Sequence, residues 1–248
     1  MATNHWRMDD MLYLTLLYDD EAHLTTPGTP EFDAEMEGYE AFGEAAGEAI
    51  RGGEALEPSA TARTVHHGDE VRISAGPFAE VTEVLGGFYV LEADTLDDVI
   101  ELARLIPAVA LGAIELRPMV QWTDRSADLP PSGEPRWLCT IHGPETATDD
   151  PDGTSWDDGA AEHGRFAELA GDALVAAAAV HPTSSATTIR VRDGELLVSD
   201  GPFAEASEVV GGCYVLRGDA DAVAQLAARI PVNPGGAVEL RPVMELDG

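Results

Sequence analysis

Residues 199–216 read SDGPFAEASEVVGGCYVL, and residues 74–91 read SAGPFAEVTEVLGGFYVL. The two stretches are identical at 13 of 18 positions without a gap. The agreement extends outward. Gly112-Ala113-Ile114-Glu115-Leu116-Arg117-Pro118 returns as Gly236-Ala237-Val238-Glu239-Leu240-Arg241-Pro242. Upstream, Ala62-Arg63-Thr64-Val65 aligns with Ala186-Thr187-Thr188-Ile189. The offset stays at 124 or 125 residues, which marks a tandem duplication rather than chance similarity. One domain is written twice, over residues 8–122 and 135–246. A polar, Pro-containing linker covers 123–134.

Both copies share one order of elements. A short apolar, β-prone run opens each, Met11 to Tyr18 and Trp137 to His142. A helix follows. Phe32, Met36, Tyr39, Phe42 and Ala46 recur at spacings of three and four, as do Ala160, His163, Phe166, Ala170 and Leu174. A hairpin comes next, signalled in copy two by Asp193-Gly194 between β-prone runs. After the Gly-Pro-Phe turn a strand runs from Phe88 to Glu92, or Cys213 to Arg217. A second helix is capped by Thr95 or Asp219 and stopped by Pro107 or Pro231. A last strand, Ala113 to Val120 or Ala237 to Met244, closes the copy. The order β-α-β(β)-β-α-β predicts an α+β fold of two ferredoxin-like halves, each an antiparallel sheet with helices on one face. The bare sheet faces need a cover, so the copies are expected to pack face to face as an intrachain pseudo-dimer resembling a barrel.

The 248-residue chain carries 46 acidic against 14 basic residues, a net charge of −32, and every basic residue is Arg. Such a chain repels phosphate backbones and anionic membrane surfaces, which excludes nucleic-acid and lipid-surface partners. No run approaches the length of a membrane span, and the first residues lack an apolar export signal. Cys139 and Cys213 lie in apolar runs and read as reduced core thiols, which points to the cytoplasm.

Ser199-Asp200-Gly201-Pro202-Phe203-Ala204-Glu205, with Glu208 and Gly211-Gly212-Cys213-Tyr214, resembles the YCII-related (DGPF) domain family, and the resemblance covers both copies. It implies a dimeric α+β barrel. It also implies bacterial cytoplasmic proteins, mostly of unassigned activity and some encoded beside sigma factors. Related barrels include muconolactone-isomerase-like and dehydrochlorinase-like enzymes that act on small organic acids. The family's active pair is a His on the first helix with an Asp near the sheet. That pair falls on His163 and Asp200 in copy two. In copy one the same positions hold Tyr39 and Ala75, so the resemblance assigns the site to copy two.

A carboxylate beside an imidazole fixes its tautomer and raises its basicity, leaving the other nitrogen to take a proton from substrate. The alternatives are a hydrogen-bonded helix residue for His163 and a turn-forming side chain for Asp200. Arg241, like Arg117, either holds a substrate carboxylate or pairs with a strand Glu. His142 and His181 are placed to line the same cavity. His66-His67 reads as a solvated turn. Gly86-Gly87 and Gly211-Gly212 precede strands rather than helices, so they read as bulges or close backbone approaches, not phosphate loops. Asp149-Asp150-Pro151-Asp152-Gly153 lacks the order of a calcium loop. No cofactor or metal is implied. The expected function is binding of a small organic-acid ligand with lyase- or isomerase-type proton transfer. The rival is a non-enzymatic regulatory module. Assembly beyond the pseudo-dimer leaves room for a homodimer.

Overall fold

A computed structural model describes residues 11–23, 25–26, 28–68, 70–79, 83–144, 156–203 and 209–245. The Asp149–Gly153 run and motif residues Ala204, Glu205 and Glu208 lie outside them. Copy one comprises β1 (Met11–Asp20), α1 (Pro30–Ala46), β2 (Ile50–Ala55), β3 (Arg63–His66), β4 (Arg72–Ala75), β5 (Glu83–Ala93), α2 (Leu96–Ala103), α3 (Ala108–Leu111) and β6 (Ala113–Asp124). Copy two comprises β7 (Arg136–Gly143), α4 (Trp156–Ala170), β8 (Leu174–Val180), β9 (Thr187–Arg192), β10 (Glu195–Asp200), β11 (Val209–Arg217), α5 (Ala220–Ala227) and β12 (Ala237–Pro242). The chain is α+β, with all twelve strands joined antiparallel in one hydrogen-bonded network.

Local signals account for most of the boundaries. Thr29 and Thr95 cap α1 and α2 by accepting the Phe32 and Asp98 amides, and Asp219 caps α5. Asp193 and Gly194 both take positive φ (54° and 81°), as a two-residue hairpin requires. One expectation is corrected. Leu174 does not continue the first helix of copy two. That helix stops at Ala170, Gly171 turns the chain at φ 55°, and Leu174 opens β8. The run LVAAAAV has the composition of a helix, but its positions in β8 are set by pairing with β11 and β6. β6 also runs to Asp124, two residues into the stretch read as linker.

The hairpins are exchanged between the copies. The β3–β4 pair does not lie in its own copy's sheet. It pairs with β12, where Val65 stands opposite Val238. Reciprocally, β9–β10 pairs with β6, with Ile189 opposite Ile114. The copies also meet at two seams. The distal half of β6 pairs with β8, and the chain beyond β2 meets the end of β12 through Leu56 and Val243.

Strand alternation then builds three cores. Tyr13, Phe42, Leu91 and Val99 of copy one enclose Ile189 of copy two. Trp137, Phe166, Leu216 and Val223 of copy two enclose Val65 of copy one. The third core joins the opposite faces of both copies, with Leu14, Leu16, Phe88 and Val90 against Leu138, Ala176, Cys213 and Val215. Burying Val65 and Ile189 contributes about 1.5–3 kcal/mol each, and all of it crosses the copy boundary.

The Gly-Gly pairs mark register shifts. β11 shifts against β7 between Val210 and Gly212, and β1 shifts against β5 at Leu17 and Tyr18. Gly212 sits in a close strand approach, since a Cβ there would stand 2.6 Å from the Ala178 carbonyl oxygen, whereas a Cβ on Gly211 would meet nothing within 4 Å. Gly212→Ala is therefore expected to cost about 1–3 kcal/mol and Gly211→Ala no more than about 0.5 kcal/mol. Urea denaturation of the two variants checks the difference.

Candidate functional site

A cavity of about 530 Å³ opens between α4 and the sheet of copy two. The wall from α4 is a helical face of small residues around His163: Gly159, Ala160, Gly164 and Ala167. The floor is Ala177, Ala179 and the exposed Gly211 of β8 and β11. At the equivalent helix positions copy one carries Met36 and Tyr39 in place of Ala160 and His163. Tyr39 packs against the copy-one core and is hydrogen-bonded to the Ala108 backbone. The volume in copy two thus follows from two side-chain exchanges on one helix.

His163 Nδ1 lies 2.7 Å from the Tyr214 hydroxyl oxygen, and the rings stack with centroids 6.1 Å apart. Tyr214 is buried on β11, with Phe166 edge-on against its ring. Burial raises the Tyr214 pKa, so the phenol keeps its proton throughout the physiological range. His142, at the end of β7, also lines the cavity, and its Nε2 is 2.8 Å from the Thr140 hydroxyl. Burial lowers the His142 pKa against the opposing pull of Glu239. His142 is therefore uncharged at neutral pH.

His181 lines the cavity as well, on the turn after β8. That turn is pinned by Arg117. Its Nη2 donates to the His181 carbonyl at 2.6 Å and its Nη1 to the Val210 carbonyl at 3.2 Å. Arg117 is buried, pairs with buried Glu115 at 3.2 Å and lines the cavity, while its Nε finds no partner among the described residues. No group of three or more His, Cys, Asp or Glu among the described residues is placed to hold a metal ion.

His142, His163 and His181 all line this cavity, with His142 on the face of the sheet opposite His163 and Tyr214, and two of the expected residues lie outside the lining. Arg241 is fully buried in the pseudo-equivalent place, pairing with Glu239 at 3.5 Å and donating to the Glu57 carbonyl. Asp200 is exposed at the end of β10, opposite Thr187. The hairpin exchange explains its position. The Asp200-Gly201-Pro202-Phe203 turn sits on copy one, where the Phe203 amide donates to Glu115 at 2.9 Å and the Phe203 ring stacks on Tyr18 at 4.5 Å. Against copy two lies the turn of copy one, which carries Ala75. His67 is half-buried: its Nε2 is shielded without a hydrogen-bond partner among the described residues, and its ring meets the backbone of Ala227 on α5. Tyr214 is a cavity residue that the sequence did not single out as functional, whereas Arg117, read there as a carboxylate holder or a partner of a strand Glu, pairs with Glu115 and lines the cavity of the other copy. The signal for Tyr214 is its strand register, opposite Cys139 on the helix-facing side.

This fold defines an α+β protein with a histidine-lined cavity among its described residues, walled by both copies of a domain. The chain matches the model of the YCII-related domain twice, over residues 11–123 and 136–247, and it belongs to that family. It is also similar to an uncharacterized protein of Rhizobium meliloti (strain 1021), 32% identical over 114 residues, which are 44% of this chain and 92% of the relative. The relative therefore has room for a single copy.

Two outcomes are expected. Tyr214→Phe should cost about 0.5–1.5 kcal/mol and shift the His163 ring titration seen by NMR, because the hydroxyl partner is lost. Glu115→Gln leaves Arg117 buried without its counter-charge and should cost about 3–5 kcal/mol. Glu101→Gln, in an exposed pair with Arg104, should cost no more than about 0.5 kcal/mol by the same denaturation assay.

Proposed function

We propose that the copy-two cavity binds a small organic acid and that His163 moves a proton to or from it, in lyase- or isomerase-type chemistry. The observation that carries this reading is the 2.7 Å contact between His163 Nδ1 and the Tyr214 hydroxyl at the cavity wall. A phenol held protonated by burial accepts the Nδ1–H at its hydroxyl oxygen, which orients the imidazole and fixes the tautomer in which it exchanges a proton with the ligand. Tyr214 takes the orienting role that the family resemblance gives to Asp200, and Asp200 serves its turn beside Gly201 (φ 97°). His142 and His181 supply further hydrogen bonds to the ligand.

The same reading takes the molecule as an intrachain dimeric α+β barrel of two ferredoxin-like halves. Face-to-face apolar packing, reciprocal hairpin exchange and the single-copy length of the Rhizobium relative all support it. It also takes the protein as cytoplasmic. Cys139 and Cys213 are buried thiols, with the Cys213 pKa pushed up to about 12 by burial, as suits a reducing compartment. Among the described residues no helix is long and apolar enough to cross a membrane.

The test uses a panel of small carboxylic acids and their lactones, with binding read from Trp156 fluorescence at the cavity and proton transfer from deuterium uptake at the ligand's C–H by NMR. The wild-type protein is expected to bind a panel member and catalyse exchange, and His163→Gln to lose at least a hundredfold in exchange rate. Equal exchange in both proteins would refute the proton-transfer role. Binding without exchange in the wild type would favour the regulatory module.

A further inference from the structure

His142 forms one end of the cavity wall, yet the surface behind its ring belongs to the other copy. It is the last inward-facing residue of β7, following Thr140 and Leu138 on that face. Its ring lies against Phe78 of the copy-one turn, with centroids 4.9 Å apart and planes inclined by 26°. That turn is fixed independently of His142. Gly76 takes φ 96°, its amide donates to the Ala62 carbonyl at 2.8 Å, and the Phe78 amide donates to Glu239 Oε2 at 2.8 Å. The pseudo-equivalent half repeats the pattern. The Phe203 amide donates to Glu115, and its ring stacks on Tyr18, the counterpart of His142. The phenylalanine of each Gly-Pro-Phe turn is thus delivered to the same place in the opposite copy.

We propose that Phe78 is a positioning residue acting in trans, its ring holding the His142 imidazole in place as a wall of the copy-two cavity. The motif then has a role beyond its turn: each copy finishes the site of the other. The proposal rests on the cavity reading above only in taking His142 as a group that meets the ligand. The charged groups facing His142 are Glu239, from β12, and Arg241 behind it. The flat apolar face of Phe78 excludes water from the side they leave open, which fits the lowered His142 pKa.

The experiment follows all assignable histidine rings of the full chain by NMR across a pH titration. In the wild type, the His142 ring protons are expected to show nuclear Overhauser contacts to Phe78 and upfield ring-current shifts. In Phe78→Leu the upfield shifts should disappear and the His142 pKa should rise, while the ring signals of the other histidines stay in place. Phe78→Tyr should restore both signatures. Absence of the wild-type contacts overturns the proposal even if Phe78→Leu fails to fold. So does a folded Phe78→Leu with an unchanged His142, or one in which every histidine shifts together. Carboxylic-acid binding is a separate measurement. A His142 response to Phe78→Leu in a protein that binds no panel member would retire the proposed ligand and leave the positioning intact.

Discussion

Val65 and Ile189 are completely buried, and each lies in the hydrophobic core of the copy it does not belong to. Each is carried there by a hairpin that pairs with the other copy's last strand. Neither half has its full core without the other's hairpin, and the third core exists only between them. Loss of either exchange would expose an apolar sheet face and leave a strand edge unpaired, two costs that reinforce each other. Covalent linkage makes the exchange intramolecular, so association no longer depends on the concentration of a partner.

The same exchange explains why the motif residues are distributed as they are. A turn that leaves one copy lands on the other, so the motif residues of each copy lie against the sheet of its neighbour. After duplication the two halves can diverge separately. In one, the helix carries His163 and the visiting turn carries Ala75; in the other, the helix carries Tyr39 and the visiting turn carries Asp200. Residues that look like a pair along copy two therefore lie in different halves of the molecule. The buried Glu–Arg pairs do not diverge. Glu115 with Arg117 and Glu239 with Arg241 each receive a phenylalanine amide from the visiting turn and brace the opposite copy's loop carbonyls. These tasks are structural and identical in both halves.

Local features were legible in the sequence because their chemistry is local. Thr95 and Asp219 cap the helices they precede, Asp193-Gly194 makes the predicted turn, and the Phe42 and Phe166 faces are buried as their spacing requires. Hairpin exchange was not legible, because Ile189 meets nearly the same neighbours in either copy. The strands GAIELRP and GAVELRP differ by one methyl-sized change, and periodicity cannot choose between them. The three histidines that line the cavity were visible as residue types, His142 and His181 at strand ends and His163 within the first helix of copy two. Tyr214 was not, because a tyrosine in a β-prone run reads first as core, and only its position opposite α4 gives its hydroxyl a partner.

A net charge of −32 opposes bringing two acidic halves together, and six of the fourteen arginines act across that boundary. Arg190 pairs with Glu83, Arg136 with Glu54 and Arg63 with Asp221, each across the copy boundary. Arg192 donates to the Ala110 and Gly112 carbonyls, Arg117 to those of Val210 and His181, and Arg241 to that of Glu57, again from one copy to the other. Most of these contacts need several directed donors from one side chain, often onto carbonyl oxygens rather than carboxylates. A planar guanidinium provides them and an ammonium does not. The absence of Lys from the chain is thus consistent with what the boundary demands. The acidic surface elsewhere keeps the molecule dispersed, and arginine at the seam keeps its two halves together.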